Sequence, residues 1–121
     1  MSGIKYLLDT NIIIGMYEHS ADVIRLFECK YIAIDECAYS SITRMELLGF
    51  PAITTNEIKI ISSLLSQMTQ LNIERTIEDK TIHLKQQHRI KLPDAIILAT
   101  AINHNIELIT LDKKLSNKLE H

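Results

Sequence analysis

Residues 95–102 include Ala95, Ile96, Ile97, Leu98, Ala99, Ala101 and Ile102, so a helix through them is apolar on nearly every side. Such a helix has to be buried, and its alanines allow close packing against a sheet. Pro93 suits its first turn, where a missing N–H costs nothing. The sheet comes from short apolar segments that alternate with helical ones. Strands are predicted over 4–8, 31–34, 71–73 and 106–110, and helices over 11–18, 21–29, 41–49, 54–69 and 77–88, with a short basic helix at the end. Gly49 and Pro51 stop the helix at 41–49. Thr54 and Glu57 have the spacing of a capping box ahead of Ile58, Ile61, Leu65 and Met68. Helix 77–88 opens with acids and closes on Lys85, His88 and Arg89, in the sense the helix dipole favours. Strands alternating with helices predict an α/β fold, a mostly parallel sheet covered on both faces.

A chain of 121 residues is long enough for one core without covalent staples. Residues 1–118 are expected to form a single domain, and 119–121 resemble the stub of a purification tag. No apolar stretch approaches the roughly 20 residues of a membrane span, and Asp9 interrupts any leader-like opening, so a cytoplasmic location is expected. Cys29 and Cys37 form no CxxC pair and are expected as buried or half-buried free thiols. Tyr6, Tyr17, Tyr31 and Tyr39 are expected in or beside the core rather than as base-stacking platforms. His83 and His88, five apart, do not share a helical face as zinc ligands would.

Four acids stand where apolar segments give way to helix starts. Asp9 follows the first predicted strand and Asp112 the last, Asp94 opens the apolar helix, and Glu46 lies in Ser41-Ile42-Thr43-Arg44-Met45-Glu46-Leu47. Singly, each is explained by helix capping, with Thr43 and Glu46 spaced as a capping box. Together they are harder to explain that way. In a parallel α/β fold these positions converge on the edge where ligands bind. Two carboxylates about 4 Å apart repel by about 4 kcal/mol at an effective dielectric near 20, which a cation offsets. Oxygen donors without paired His or Cys favour Mg²⁺ or Mn²⁺ over zinc. Phosphodiester hydrolysis is the chemistry that uses such a site.

Leu8-Asp9-Thr10-Asn11, the segment 41–47, Leu92-Pro93-Asp94-Ala95 and Ile109-Thr110-Leu111-Asp112 occur in the order and approximate spacing of the PIN-domain proteins of the VapC-type toxin group, which the chain resembles over almost its whole length. The resemblance implies a three-layer α/β/α sandwich and a metal-dependent endoribonuclease. It implies Asp9, Glu46, Asp94 and Asp112 as the catalytic acids, with Asp9 and Asp94 binding Mg²⁺ or Mn²⁺. Thr10, Asn11 and Thr110 would orient ligands or water. Asp112 departs most from the pattern, since Leu111 and Lys113 flank it where many relatives carry a further Asn or Asp. The resemblance also implies a homodimer and a cognate antitoxin as partner.

An RNA substrate has to be held despite a net charge of −2. Lys80, Lys85, Arg89 and Lys91 lead to Asp94, and Lys113, Lys114 and Lys118 trail Asp112; both groups are candidates to face phosphates, with a solvated helix face as the plain alternative. Arg44 faces either the pocket or a neighbouring acid. Two other functions fit the acids less well. An aspartyl phosphatase would want an acid two residues after Asp9, where Asn11 stands. A non-catalytic RNA-binding module would not need all four carboxylates.

Overall fold

Alternate residues of the short strands belong to different cores, which is what a sheet buried on both faces requires. The structure, a computed structural model, describes residues 3–119. It contains β1 (Tyr6–Leu8), α1 (Thr10–Tyr17), α2 (Ala21–Lys30), β2 (Cys37–Ser40), α3 (Ser41–Leu48), α4 (Thr55–Leu65), β3 (Thr69–Leu71), α5 (Arg75–Gln87), α6 (Leu92–His104), β4 (Glu107–Ile109) and α7 (Lys113–Leu119). Leu7, Ala38 and Leu108 turn to one side, where they meet Ile77 and Leu84 of α5, Ile97 and Leu98 of α6, and Leu115 of α7. Leu8, Cys37, Tyr39 and Ile109 turn to the other, against Ile12, Val23, Leu47 and Ile61 of α1 to α4. The result is three layers, α/β/α. Gly15 lets α2 pack closely on α1, because a Cβ there would collide with Val23.

All the strand pairs are parallel, in the order β3-β2-β1-β4. The chain lays β2 and β3 outward on one side of β1, then returns to place β4 on the other. The reversal occurs at β1, so the crevice of the sheet opens where β1 and β4 end. As expected, α6 is buried along Ala95–Ala101. Thr100 inside it gives its hydroxyl to the Ile96 carbonyl at 2.7 Å, which removes the cost of burying it. The capping box of Thr54 and Glu57 is present at the start of α4.

Several expectations require correction. Residues 31–34 form no strand. Tyr31 adopts a left-handed conformation (φ 54°) at the end of α2, and Ile32 donates back to the Phe27 carbonyl at 3.0 Å, a helix-ending motif that sequence hydropathy does not reveal. Tyr31 is 89% exposed, not a core residue. The strand lies later, at Cys37–Ser40, after a 3₁₀ turn at Ile34–Glu36. Cys29 is exposed; only Cys37 is buried, and burial pushes its thiol up to about 12, leaving it inert. The third strand begins two residues earlier than expected, since its register pairs Thr69 with Ala38 and Leu71 with Ser40. Glu120 and His121, part of the tripeptide that resembles a tag, lie outside the described residues.

Candidate active site

Register places Asp9 beside Thr110. Leu8 pairs with Ile109, and the Asp9 N–H extends that ladder to the Ile109 carbonyl at 2.9 Å. Asp9 is 5% exposed, and a buried carboxylate needs donors. It has two: the Thr10 N–H on Oδ1 at 2.7 Å and the Thr110 hydroxyl on Oδ2 at 2.6 Å. Asp9 therefore caps α1 and also reaches across to β4. Its oxygens offer about four acceptor directions, so these two bonds leave capacity for another ligand.

Thr10 ties this edge to α3. Its hydroxyl donates to Glu46 Oε1 at 2.8 Å and shares a hydrogen bond with the Thr43 hydroxyl at 3.1 Å. The capping box that the spacing of Thr43 and Glu46 allowed as the alternative does not form. Ser40 caps α3 instead, accepting from the Ile42 N–H, and Thr43 is fully buried inside the first turns. Glu46 is thus free to lean toward Thr10. Ser40 was not singled out by sequence, although the Ser40-Ser41 pair after an apolar run is a cap signal.

Asp94 sits in the first turn of α6, half-buried. Burial pushes its carboxyl above the ordinary 3.8, and the charges of Asp9, Asp112 and Glu46 push it further, against a smaller opposing pull from Lys91. Acids from the β1–α1 junction, α3 and the β4–α7 turn thus repel Asp94 of α6 at a single edge of the sheet. Among the described residues no three His, Cys, Asp or Glu side chains form a ready cage for an ion. Mg²⁺ does not need one, because it usually takes one or two protein carboxylates and completes its shell with water and phosphate oxygens.

Asp112 caps α7, accepting from the Lys114 and Leu115 N–H groups on Oδ1 at 2.9 and 3.3 Å. Its own N–H donates to the Thr110 hydroxyl at 3.0 Å, so Thr110 links Asp9 to Asp112. Asn11 accepts from the Leu111 N–H at 3.4 Å and ties α1 to the turn that carries Asp112. Arg89 and Lys91 share a cavity of about 230 Å³ with Asp94 and Asp112, together with Lys114 and Lys118. Lys113 is not among that cavity's lining residues. Arg44 is exposed on α3; burial pushes the Tyr39 hydroxyl above its ordinary value, and the Arg44 charge opposes this only in part. Because the Thr110 hydroxyl holds Asp9 Oδ2, Thr110→Val should lower any activity that uses Asp9 about 10–100-fold while the folded fraction stays high. Equal turnover of the variant would show that the hydroxyl does not position the site.

A PIN domain model matches residues 6–118. The chain belongs to the PIN domain family. Among solved structures, a toxin–antitoxin complex from Klebsiella pneumoniae is 35% identical, with 91% of this chain and 88% of that chain covered at a TM-score of 0.78. A DNA-bound VapBC from Salmonella typhimurium is 17% identical over 96% and 92% of the two chains, with a TM-score of 0.79. FitAcB from Neisseria gonorrhoeae is 20% identical over 95% and 93%, with a TM-score of 0.74. At these lower identities the two share the fold. No curated protein sequence matches the chain. The PIN domain here contains no helix, among the described residues, long and apolar enough to cross a membrane.

Proposed function

We propose that this PIN domain is a metal-dependent endoribonuclease acting as the toxin of a toxin–antitoxin pair. The observation that carries the reading is the meeting of Asp9, Glu46, Asp94 and Asp112 at the switch point of the sheet, with Asp94 burdened by the charge of the other three. Membership of a family that includes toxin nucleases supports it, as does the 35% identity to a chain of a toxin–antitoxin complex.

Asp9 and Asp94 are assigned to hold Mg²⁺ or Mn²⁺. Asp9 is buried, oriented by two donors and has acceptor capacity to spare, while Asp94, repelled by the neighbouring acids, gains from an added positive charge. When bound, the ion acidifies a water and polarises the phosphoryl oxygens. The chain's own contribution is placement. Thr110 and the Thr10 N–H fix the Asp9 carboxylate, and the Thr10 hydroxyl holds Glu46 near the same edge. Asp112, with one oxygen committed to α7, leaves Oδ2 to accept a hydrogen bond from water. Asn11, which an aspartyl phosphatase would replace with an acid, holds the Leu111 N–H instead. An antitoxin and a second copy of the chain are the partners this reading implies.

Purified protein with Mn²⁺ and a pool of structured RNAs should produce internal cuts that EDTA abolishes. Cuts that persist in excess EDTA would remove the metal from the proposal. Phosphate release from a small monoester with RNA intact would point to the phosphatase. Binding without cleavage in either metal would leave a recognition module.

A further inference from the structure

The cavity that holds Asp94 and Asp112 is walled by more positive charge than those acids need. Arg89 and Lys91 come from the connection between α5 and α6, and Lys114 and Lys118 come from α7, more than twenty residues later. Four cations face two carboxylates. Elsewhere lysines beside acids are paired, Lys5 with Glu36 at 2.8 Å and Lys30 with Glu107 at 2.7 Å. Among the described residues none of these four cations forms an ion pair.

The cavity also continues outward. A hollow of about 490 Å³ shares Arg89 and Lys91 with it, and another of about 330 Å³ shares Lys114 and Lys118; His88 lines both. Their shared lining residues make the three an adjoining series, a trough in which only the first hollow is lined by carboxylates. The wall is held in shape, since the Lys85 ammonium donates to the Ile90 carbonyl at 2.8 Å and pins the segment that carries Arg89 and Lys91. α7 is anchored by the cap from Asp112 and by buried Leu115.

We propose that this trough binds backbone phosphates of the RNA strand on one side of the bond to be cut, with Arg89, Lys91, Lys114 and Lys118 as the contacts. The proposal rests on the nuclease reading above. Repulsion between RNA and a chain of net charge −2 makes such a local cationic strip the means of holding substrate against the acidic end. It also makes substrate engagement one-sided: nucleotides extending over α7 add affinity, and those beyond the acidic end do not.

The test is binding of a short labelled single-stranded RNA in EDTA, by fluorescence anisotropy, between about 50 and 200 mM salt. Arg89 and Lys114 are exposed, so the double variant R89A/K114A should fold as the parent does, which circular dichroism checks. It should bind about tenfold more weakly at low salt, with the salt slope smaller by about 1.4, since each single-strand phosphate contact contributes about 0.7. R25A/K59A removes two exposed cations from α2 and α4, across the sheet, and should leave affinity and slope nearly unchanged. Identical slopes for R89A/K114A and wild type, or an equal loss in R25A/K59A, would overturn the trough. Mn²⁺-dependent cleavage by wild type is scored separately. Cleavage with no change of slope in R89A/K114A rejects the trough and keeps the nuclease. A reduced slope with no cleavage by wild type keeps the trough as an RNA contact and rejects the nuclease.

Discussion

Asp94→Asn is expected to stop cleavage and, in metal-free buffer, to raise the melting temperature. The two effects share one cause. In the folded chain the Asp94 carboxylate is half-buried and repelled by Asp9, Asp112 and Glu46, so its pKa is raised above 3.8. A raised carboxyl pKa means the charged form destabilises the fold. Stability associated with Asp94 is fully present below its unfolded pKa and is lost as pH rises through the raised folded value. An amide of the same shape carries no charge, so at neutral pH the variant escapes that loss. The gain in melting temperature is on the order of a few degrees, because water screens a half-exposed group. The difference between variant and wild type should vanish well below pH 3.8 and be complete at neutrality. With Mn²⁺ present the order should reverse, since an ion bound only by folded wild type adds about 2.7 kcal/mol at a hundredfold excess over Kd. Cleavage should fall about 10³-fold, the equivalent of losing several kcal/mol of charge stabilisation. Calorimetry with and without Mn²⁺ checks the first part and RNA cleavage the second. A lower metal-free melting temperature would mean that Asp94 serves structure.

Asp9→Asn should lose as much activity, about 10³-fold, but with the opposite change in stability. Asp9 is 5% exposed and receives two short hydrogen bonds, from the Thr10 N–H and the Thr110 hydroxyl. An amide oxygen accepts one of these. The amide NH₂ then faces the other donor, and the Thr110 hydroxyl has to turn to accept from it. Weakening one buried, charge-assisted bond costs about 1–3 kcal/mol. That cost exceeds the screened repulsion of Asp94 that the amide also relieves, so the variant should melt below wild type in the absence of metal, where Asp94→Asn melts above it. Denaturant titration of both proteins measures the contrast. Retained cleavage by Asp9→Asn would exclude Asp9 as a metal ligand, whatever its stability.

Much of the fold was legible because period and composition are local properties. The helix of Ala95–Ala101 is apolar all round, and only burial accommodates that. The Thr54–Glu57 box and the run Tyr6–Leu8 are likewise written in adjacent residues. The second strand was not legible. Tyr31, Ile32 and Ile34 look more strand-like than Cys37-Ala38-Tyr39-Ser40, yet a left-handed residue at Tyr31 ends α2 and turns the chain away. That choice depends on which segment pairs with β1, a long-range property.

The acids divide in the same way. Their identity and their positions at strand ends and helix starts are properties of the sequence, as is the family to which their order belongs. Asp9 was read as either cap or ligand, and in the structure it caps while keeping acceptor capacity. Glu46 was a suspected cap, and only the fold shows that Ser40 took the role and left Glu46 to Thr10. Local patterning by itself determined the layers and the parts of the site, because burial and capping are decided by near neighbours. The tertiary structure alone decided the strand order β3-β2-β1-β4, and with it the meeting of Asp9 with Thr110 and of Asp94 with the cations of α7. Contacts across about a hundred residues depend on which strands pair, and pairing is settled by the free energy of the whole core.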